Sequence, residues 1–167
     1  MSTVVLPGSF DPFTLGHLDI ARRAAALVDE VVIALAKNPN KRGLLGLDER
    51  CRAIDETLAE QGLQDRVRTA VLDGGLLVDF CRSVGARAVV RGLRSQADLA
   101  YEEPMVRMNA HLADIDTMLL LTTSSYAHIS SSLVREVARL GGDVTDMLPA
   151  PSRRALERAL GPTSPTS

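Results

Sequence analysis

Tryptophan is absent from the 167 residues, and two tyrosines and three phenylalanines make up the whole aromatic complement. A surface that stacks single-stranded bases needs more rings than that, which argues against such a platform. An excess of one charge is also lacking. Nineteen Lys and Arg against 21 Asp and Glu leave a formal net charge of -2, so no global field draws in DNA or anionic membranes, and any anion site must be local. Cysteine is scarce: Cys51 and Cys81 lie far apart, with no CxxC and no neighbouring His. A metal or redox role is thereby disfavoured, and two buried thiols in a reducing compartment are the expectation. The apolar runs are a handful of residues long, against roughly 20 for a membrane span. The first residues show no basic, apolar leader pattern, so no signal peptide is expected and a cytoplasmic location follows.

What is present is a folded globular composition, 46% hydrophobic and 24% charged. The length suits one domain that buries a core without disulfide or metal staples. We place that domain at residues 1–160, with the Pro/Ser/Thr-rich 161–167 as a frayed tail.

Short β-branched runs alternate with stretches of helical period. Strands are predicted at Val4–Leu6, closed by Pro7-Gly8, then at Val31–Ala36, Val67–Leu72, Ala88–Val90 and Thr117–Leu121. Helices are predicted at His17–Val28, Asp48–Glu60, Leu76–Val84, from a Ser95 cap to about His111, at Ser130–Leu140 and at Pro151–Leu160. Residues 37–46 read as a loop. Five alternations specify an α/β fold: a five-stranded parallel sheet with helices on both faces. Ligands of such sheets bind beyond the carboxyl ends of the strands, at the point where strand order reverses.

Those ends carry the chemistry. Pro7-Gly8-Ser9-Phe10-Asp11-Pro12-Phe13-Thr14-Leu15-Gly16-His17 follows the first strand and opens a helix. Gly8 permits close backbone approach, Ser9 offers a hydroxyl, and the helix start favours an anion to which His17 can donate. A Pro/Gly turn with a capping Thr14 explains part of this string and leaves the rest. Lys37, Lys41 and Arg42 follow the second strand; a solvated basic loop accounts for Lys37. Arg91-Gly92-Leu93-Arg94 follows the fourth. Its arginines could fork onto phosphates or be solvated, and the pair alone does not decide. Tyr126-Ala127-His128-Ile129-Ser130-Ser131-Ser132 leads into a late helix. One capping serine would explain one of the three, and all three together suggest a second anion cradle. No GxxxxGK[ST] or GxGxxG is present.

Thr14-Leu15-Gly16-His17 and Ile129-Ser130-Ser131-Ser132-Leu133-Val134-Arg135 resemble the (H/T)xGH and ISSSxxR motifs of the nucleotidyltransferase superfamily, which has a Rossmann-like fold. Within it, PGSFDPFTLGH, RGLR, Tyr101-Glu102, Met108-Asn109-x-His111, ISSSLVREV and Gly142-Asp143-Val144 are similar, in order, to the phosphopantetheine adenylyltransferase family. The resemblance implies transfer of AMP from ATP to 4'-phosphopantetheine, giving dephospho-coenzyme A and pyrophosphate in the penultimate step of coenzyme A synthesis. It implies magnesium bound mainly through ATP phosphates with no protein metal site, coenzyme A as a competing ligand, and a homohexamer.

Carried over by motif, His17 is the catalytic residue. Ser9, Phe10, His17, Gly92, Leu93, Arg94, Glu102 and Tyr126, Ala127, His128, Ile129, Ser130, Ser131 and Ser132 are implied to bind ATP. Ser9, Lys41, Leu77 and Arg91 are implied to bind the acceptor. Transfer to nicotinamide mononucleotide or glycerol 3-phosphate, and nucleotide binding without turnover, are the rival readings. Pro104 falls two residues after Glu102 in a segment the family makes helical. An interior proline costs about 3 kcal/mol, so the expectation is either a helix restarting at Pro104 or a displaced Glu102.

Overall fold

The computed structural model describes residues 1–37 and 43–161. In chain order the elements are β1 (Thr3–Gly8), α1 (Leu15–Leu27), β2 (Glu30–Ala36), α2 (Leu47–Glu60), β3 (Val67–Leu72), α3 (Leu77–Ser83), β4 (Ala88–Leu93), α4 (Gln96–Ala113) and β5 (Asp116–Leu121). A 3₁₀ turn (Ser124–Tyr126), α5 (Ser131–Arg139) and α6 (Ala150–Leu160) complete it. The five strands are parallel in the order β3-β2-β1-β4-β5.

Alternation along the central strands assigns their two faces. Val4 and Leu6 of β1 and Val31, Ile33 and Leu35 of β2 pack with Ala21 and Ala24 of α1 and Ile54 and Leu58 of α2. Val5, Val32 and Ala34 between them pack on the other face with Val78 and Cys81 of α3. A smaller cluster joins Val134 of α5, Val144, Leu148 and Leu156 of α6. Burial pushes the Cys81 thiol up to about 11, so it stays protonated and serves as packing.

Two strands run past the predicted carboxyl ends of their apolar runs, and both extensions shape the functional end of the sheet. β1 continues through Pro7 and Gly8, which pair with Ala34 and Leu35 of β2. On its other side β1 pairs with β4 only at Val4↔Ala88 and Val5↔Val89. Pro7 has no N–H to give a ladder, and β1 and β4 part beyond Val5. β4 likewise continues through Arg91-Gly92-Leu93, paired with Leu119–Leu121 of β5; the segment read as a loop is the end of a strand. The sheet therefore opens between β1 and β4, where the strand order reverses.

The two expectations for Pro104 are both corrected. α4 is one helix of 18 residues with Pro104 inside it, and Glu102 is held against Arg91. Ala100 and Pro104 both lie on the exposed side, so water can satisfy the carbonyl that the missing N–H would have bonded. The Ser95 side chain caps the start, and Arg107 pairs with Glu103 at 2.6 Å across the proline.

Candidate active site

A cleft of about 500 Å³ occupies the opening between β1 and β4. Its floor is the turn after β1. Phe10 sits in the left-handed region at φ 49°, with its ring buried. That backbone is unfavourable for a side chain of this size, and packing fixes it. The Phe10 ring lies where a Cβ on Gly8 would be, 2.8 Å from its Cζ. Gly8 thus makes room for a side chain of its own turn, where its sequence context predicts the close approach of a ligand. The Asp11–Pro12 peptide is cis. The Asp11 carboxylate accepts from the backbone N–H groups of Leu44 at 2.8 Å and Leu45 at 2.9 Å, and Arg135 of α5 donates to the Asp11 carbonyl. One residue therefore joins three separate parts of the cleft wall.

Thr14 caps α1, and His17 completes the cap in the place where Glu or Gln is usual. The Thr14 N–H donates to His17 Nδ1 at 3.0 Å, while the Thr14 hydroxyl accepts from the His17 N–H at 3.3 Å. With Nδ1 an acceptor, the ring proton of the neutral imidazole resides on Nε2. Phe13 stacks on the ring at 5.6 Å and Phe10 meets it edge-on at 5.1 Å. Burial, reinforced by the Arg91 and Arg94 charges, lowers the His17 pKa to about 4. At neutral pH the cleft holds an uncharged, oriented donor.

The arginines of β4 arrive already paired. Arg91 grips both Glu102 oxygens, with Nε–Oε2 at 2.8 Å, and donates from Nη1 to the Pro7 carbonyl at 2.7 Å. That last bond fills the gap where β1 and β4 part. Arg94 forks onto Asp98 at 3.0 and 3.1 Å, and its hydrogen bonds hold the Asp98 carboxyl below the usual range against the opposing effect of burial. Ser130 caps α5 by accepting from the Leu133 N–H at 3.2 Å, and Ser131 donates to the Pro12 carbonyl at 2.8 Å. Two of the three serine hydroxyls thus have structural partners, while all three serines line the cleft. Behind them, Asp19 of α1, only 3% exposed, accepts from Thr123 at 2.7 Å, Arg22 at 3.0 Å and Arg23 at 3.2 Å. It ties the segment after β5 to α1.

Of the residues expected at the site, Ser9, Phe10, His17, Arg91, Gly92, Arg94, Glu102, Ile129, Ser130, Ser131 and Ser132 line this cleft. Leu93, Tyr126, Ala127 and His128 do not line it: Leu93 is buried, Tyr126 packs against the α5–α6 cluster, and His128 is exposed. Leu77 begins α3 and packs beneath the sheet, apart from the cleft. Lys41 lies outside the described residues, as does 162–167 of the tail. Asp11, Arg50, Asp98, Tyr101 and Arg135 also line the cleft, and motif reading assigned them no role. Arg50 had a signal of its own: it is a charge on the helix face that carries Ala53, Ile54, Thr57 and Leu58.

The cleft carboxylates test a magnesium ion. Asp11 is occupied by backbone N–H groups, Asp98 by Arg94 and Glu102 by Arg91. Among the described residues no group of three His, Cys, Asp or Glu side chains could hold a metal. This donor set fits an ion carried by ligand phosphates, and it fits poorly one held by the protein.

A 3-2-1-4-5 parallel sheet with a capping His at the first helix start and a serine-opened late helix defines an α/β nucleotidyltransferase. The chain belongs to the cytidylyltransferase-like family, which it matches over residues 5–137, and within it to the phosphopantetheine adenylyltransferases. The phosphopantetheine adenylyltransferase of Clavibacter michiganensis subsp. michiganensis is 53% identical over 152 residues, covering 91% of this chain and 93% of the relative. That of Leifsonia xyli subsp. xyli is 49% identical over 146 residues, covering 87% and 91%. A solved Vibrio parahaemolyticus structure described as a nicotinate-nucleotide adenylyltransferase shares the fold, with a TM-score of 0.66 at 19% identity over 96% of this chain and 95% of that one.

Proposed function

We propose that the protein transfers AMP from ATP to 4'-phosphopantetheine, releasing pyrophosphate and forming dephospho-coenzyme A, with residues 1–160 working as one domain. The observation that carries this reading is identity of about half to named phosphopantetheine adenylyltransferases over nearly the whole chain. The cleft agrees with it chemically. The attacking group is a phosphate oxygen that is already anionic, so no protein base is required. It adds to the α-phosphorus, and the bond to the bridging oxygen breaks with that electron pair leaving on pyrophosphate.

Catalysis is then positioning and charge stabilisation. Gly92, Arg94 and Ser130–Ser132 form the nucleotide side, with Leu93, Glu102 and Tyr126–Ile129 shaping it. Ser9, Lys41 and Arg91 serve the phosphate end of the acceptor, and Leu77, at the start of α3 and outside the cleft lining, serves its pantetheine arm. His17 Nε2–H donates to phosphate oxygens that gain charge as the bond breaks. Magnesium, carried by the phosphates, supplies further charge neutralisation.

Coenzyme A competes for the acceptor site because it carries the same pantetheine arm. The protein works in the cytoplasm; among the described residues no helix is long and apolar enough to cross a membrane. A homohexamer is supported by apolar side chains left bare on α4 and the edge strand β5: Leu99, Met105, Met108 and Leu112, with Leu121 72% exposed. Light scattering that gives the mass of one chain at micromolar concentration would refute the assembly.

The functional test is ATP-dependent pyrophosphate release with 4'-phosphopantetheine, nicotinamide mononucleotide and glycerol 3-phosphate compared. Release with the first alone is expected. Release with another acceptor alone, or nucleotide binding without turnover on any of them, would overturn the reading.

A further inference from the structure

Four arginines line the cleft, and three of them have a carboxylate. Arg91 is paired with Glu102, Arg94 with Asp98, and Arg135 lies 4.0 Å from Asp11. Arg50 has none among the described residues. The undescribed segments, 38–42 and 162–167, contain no Asp or Glu. Arg50 is only 9% exposed, its Nε has no hydrogen-bond partner among the described residues, and its Nη1 donates to the Ser9 carbonyl at 2.6 Å. A guanidinium removed from water without a counter-ion is a costly arrangement that an arriving anion relieves. The paired arginines bring little net charge to the cleft, whereas Arg50 brings a whole one.

We propose that Arg50 is an anion-binding residue for the phosphomonoester of the acceptor. Its location selects that phosphate over those of the nucleotide. Arg50 belongs to the helix after β2, and the neighbouring cleft wall is Ala36 and Gly43, also from the β2 side. Gly92, Arg94 and the serines of α5, the nucleotide side of the proposed function on which this inference rests, come from β4 and beyond. The Ser9 carbonyl fixes the guanidinium at the opening between β1 and β4, where the acceptor phosphate must meet the α-phosphorus.

The experiment compares the affinity of the full-length protein for 4'-phosphopantetheine with that for pantetheine, by calorimetry, and follows ATP affinity in parallel. The ratio of the first two isolates the contribution of the phosphate. Arg50→Gln keeps an N–H donor and removes the charge; it should lower the ratio at least tenfold and leave ATP affinity within about threefold. Arg50→Lys keeps the charge and should hold the ratio within about threefold of the unaltered protein. An unchanged ratio in Arg50→Gln, an equal loss for ATP, or an Arg50→Lys ratio as low as that of Arg50→Gln would overturn the inference, each pointing to support of the turn alone. If Arg50→Gln does not fold, Arg50→Lys still decides: retention of the ratio supports the assignment and its loss overturns it. Failure of the unaltered protein to release pyrophosphate with 4'-phosphopantetheine would overturn the functional reading together with this inference. Normal turnover with an unaltered ratio in Arg50→Gln would overturn this inference alone.

Discussion

Replacing His17 by alanine separates two tasks that the ring performs at once. On the structural side, the Thr14 N–H loses its acceptor at 3.0 Å and the ring leaves its contacts with Phe13 and Phe10. A lost cap costs about 1 kcal/mol, and aromatic pairing of this kind adds roughly 0.5–1.5 kcal/mol, so a stability loss of about 2 kcal/mol is expected. On the chemical side, the cleft loses an oriented neutral donor whose value grows as charge builds on the leaving phosphate. Removing one such donor typically lowers turnover by about 100- to 1000-fold, or roughly 3–4 kcal/mol. His17→Ala should therefore drop kcat by that order while ATP affinity changes much less. His17→Gln provides the control, because glutamine at this helix position accepts from the cap N–H. It should recover most of the melting temperature while kcat stays at least about tenfold down. Steady-state pyrophosphate release, ATP titration and thermal melting on both variants give the three readings. If His17→Ala turns over within a few-fold of the unaltered protein, or if His17→Gln restores stability and turnover alike, the ring is a cap and the transition-state role is wrong.

The same imidazole sets a pH dependence of stability. Its folded pKa of about 4 lies below the unfolded value of 6.5, so between those pH values the unfolded chain takes up a proton that the folded one refuses. The contribution is intact above pH 6.5 and falls by about 3 kcal/mol on acidification to pH 4; denaturant titrations should show that slope flattened in His17→Gln. Gly8→Ala puts a Cβ 2.8 Å from the buried Phe10 ring, and overpacking of this kind costs about 1–3 kcal/mol. Here it should also shift Phe10 away from His17, so kcat should fall along with melting temperature; an active, fully stable variant would show that the turn yields freely. Asp19→Ala removes the shared acceptor of Thr123, Arg22 and Arg23 and should destabilise by about 1–3 kcal/mol. It should raise the KM for ATP more than that for the acceptor, and equal effects on both KM values would refute its assignment to the segment after β5.

The sheet could be read from the sequence because its central strands are covered on both faces. Val31–Ala36 has no polar position to confuse a strand with a loop. Arg91-Gly92 reads as a loop because charge and glycine interrupt the apolar run, yet pairing with Leu119 and Leu120 of β5 holds them in the ladder. Pro104 misled in the opposite direction: a penalty that is real in a buried helix is softened on an exposed face. The motifs located most of the cleft wall, since Ser9, His17, Arg94 and the α5 serines are local to strand ends. Leu77, carried over by resemblance, sits beneath the sheet. The roles of Arg50 and Asp19 stay hidden in the sequence for a common reason. Each lies on the inward side of a helix among apolar residues, and its meaning depends on a partner far along the chain: the Ser9 carbonyl for one, Thr123 for the other. Pattern reading detects a charge out of place without telling what it faces.

Asp11 links the turn after β1 to residues 44–45 through its carboxylate and to α5 through its carbonyl, across 124 positions to Arg135. During synthesis the turn leaves the ribosome long before the helix that clasps it. Closing so large a loop comes late in folding, because its entropy is lost before its contacts form. Translation therefore delivers β1, β2 and their helices first, while the turn that carries Ser9 and Phe10 waits without one of its anchors. Nascent chains halted before residue 130 should be cut by protease at residues 9–14, and chains released at full length should resist. A protein made this way cannot present a finished cleft until nearly all of it exists.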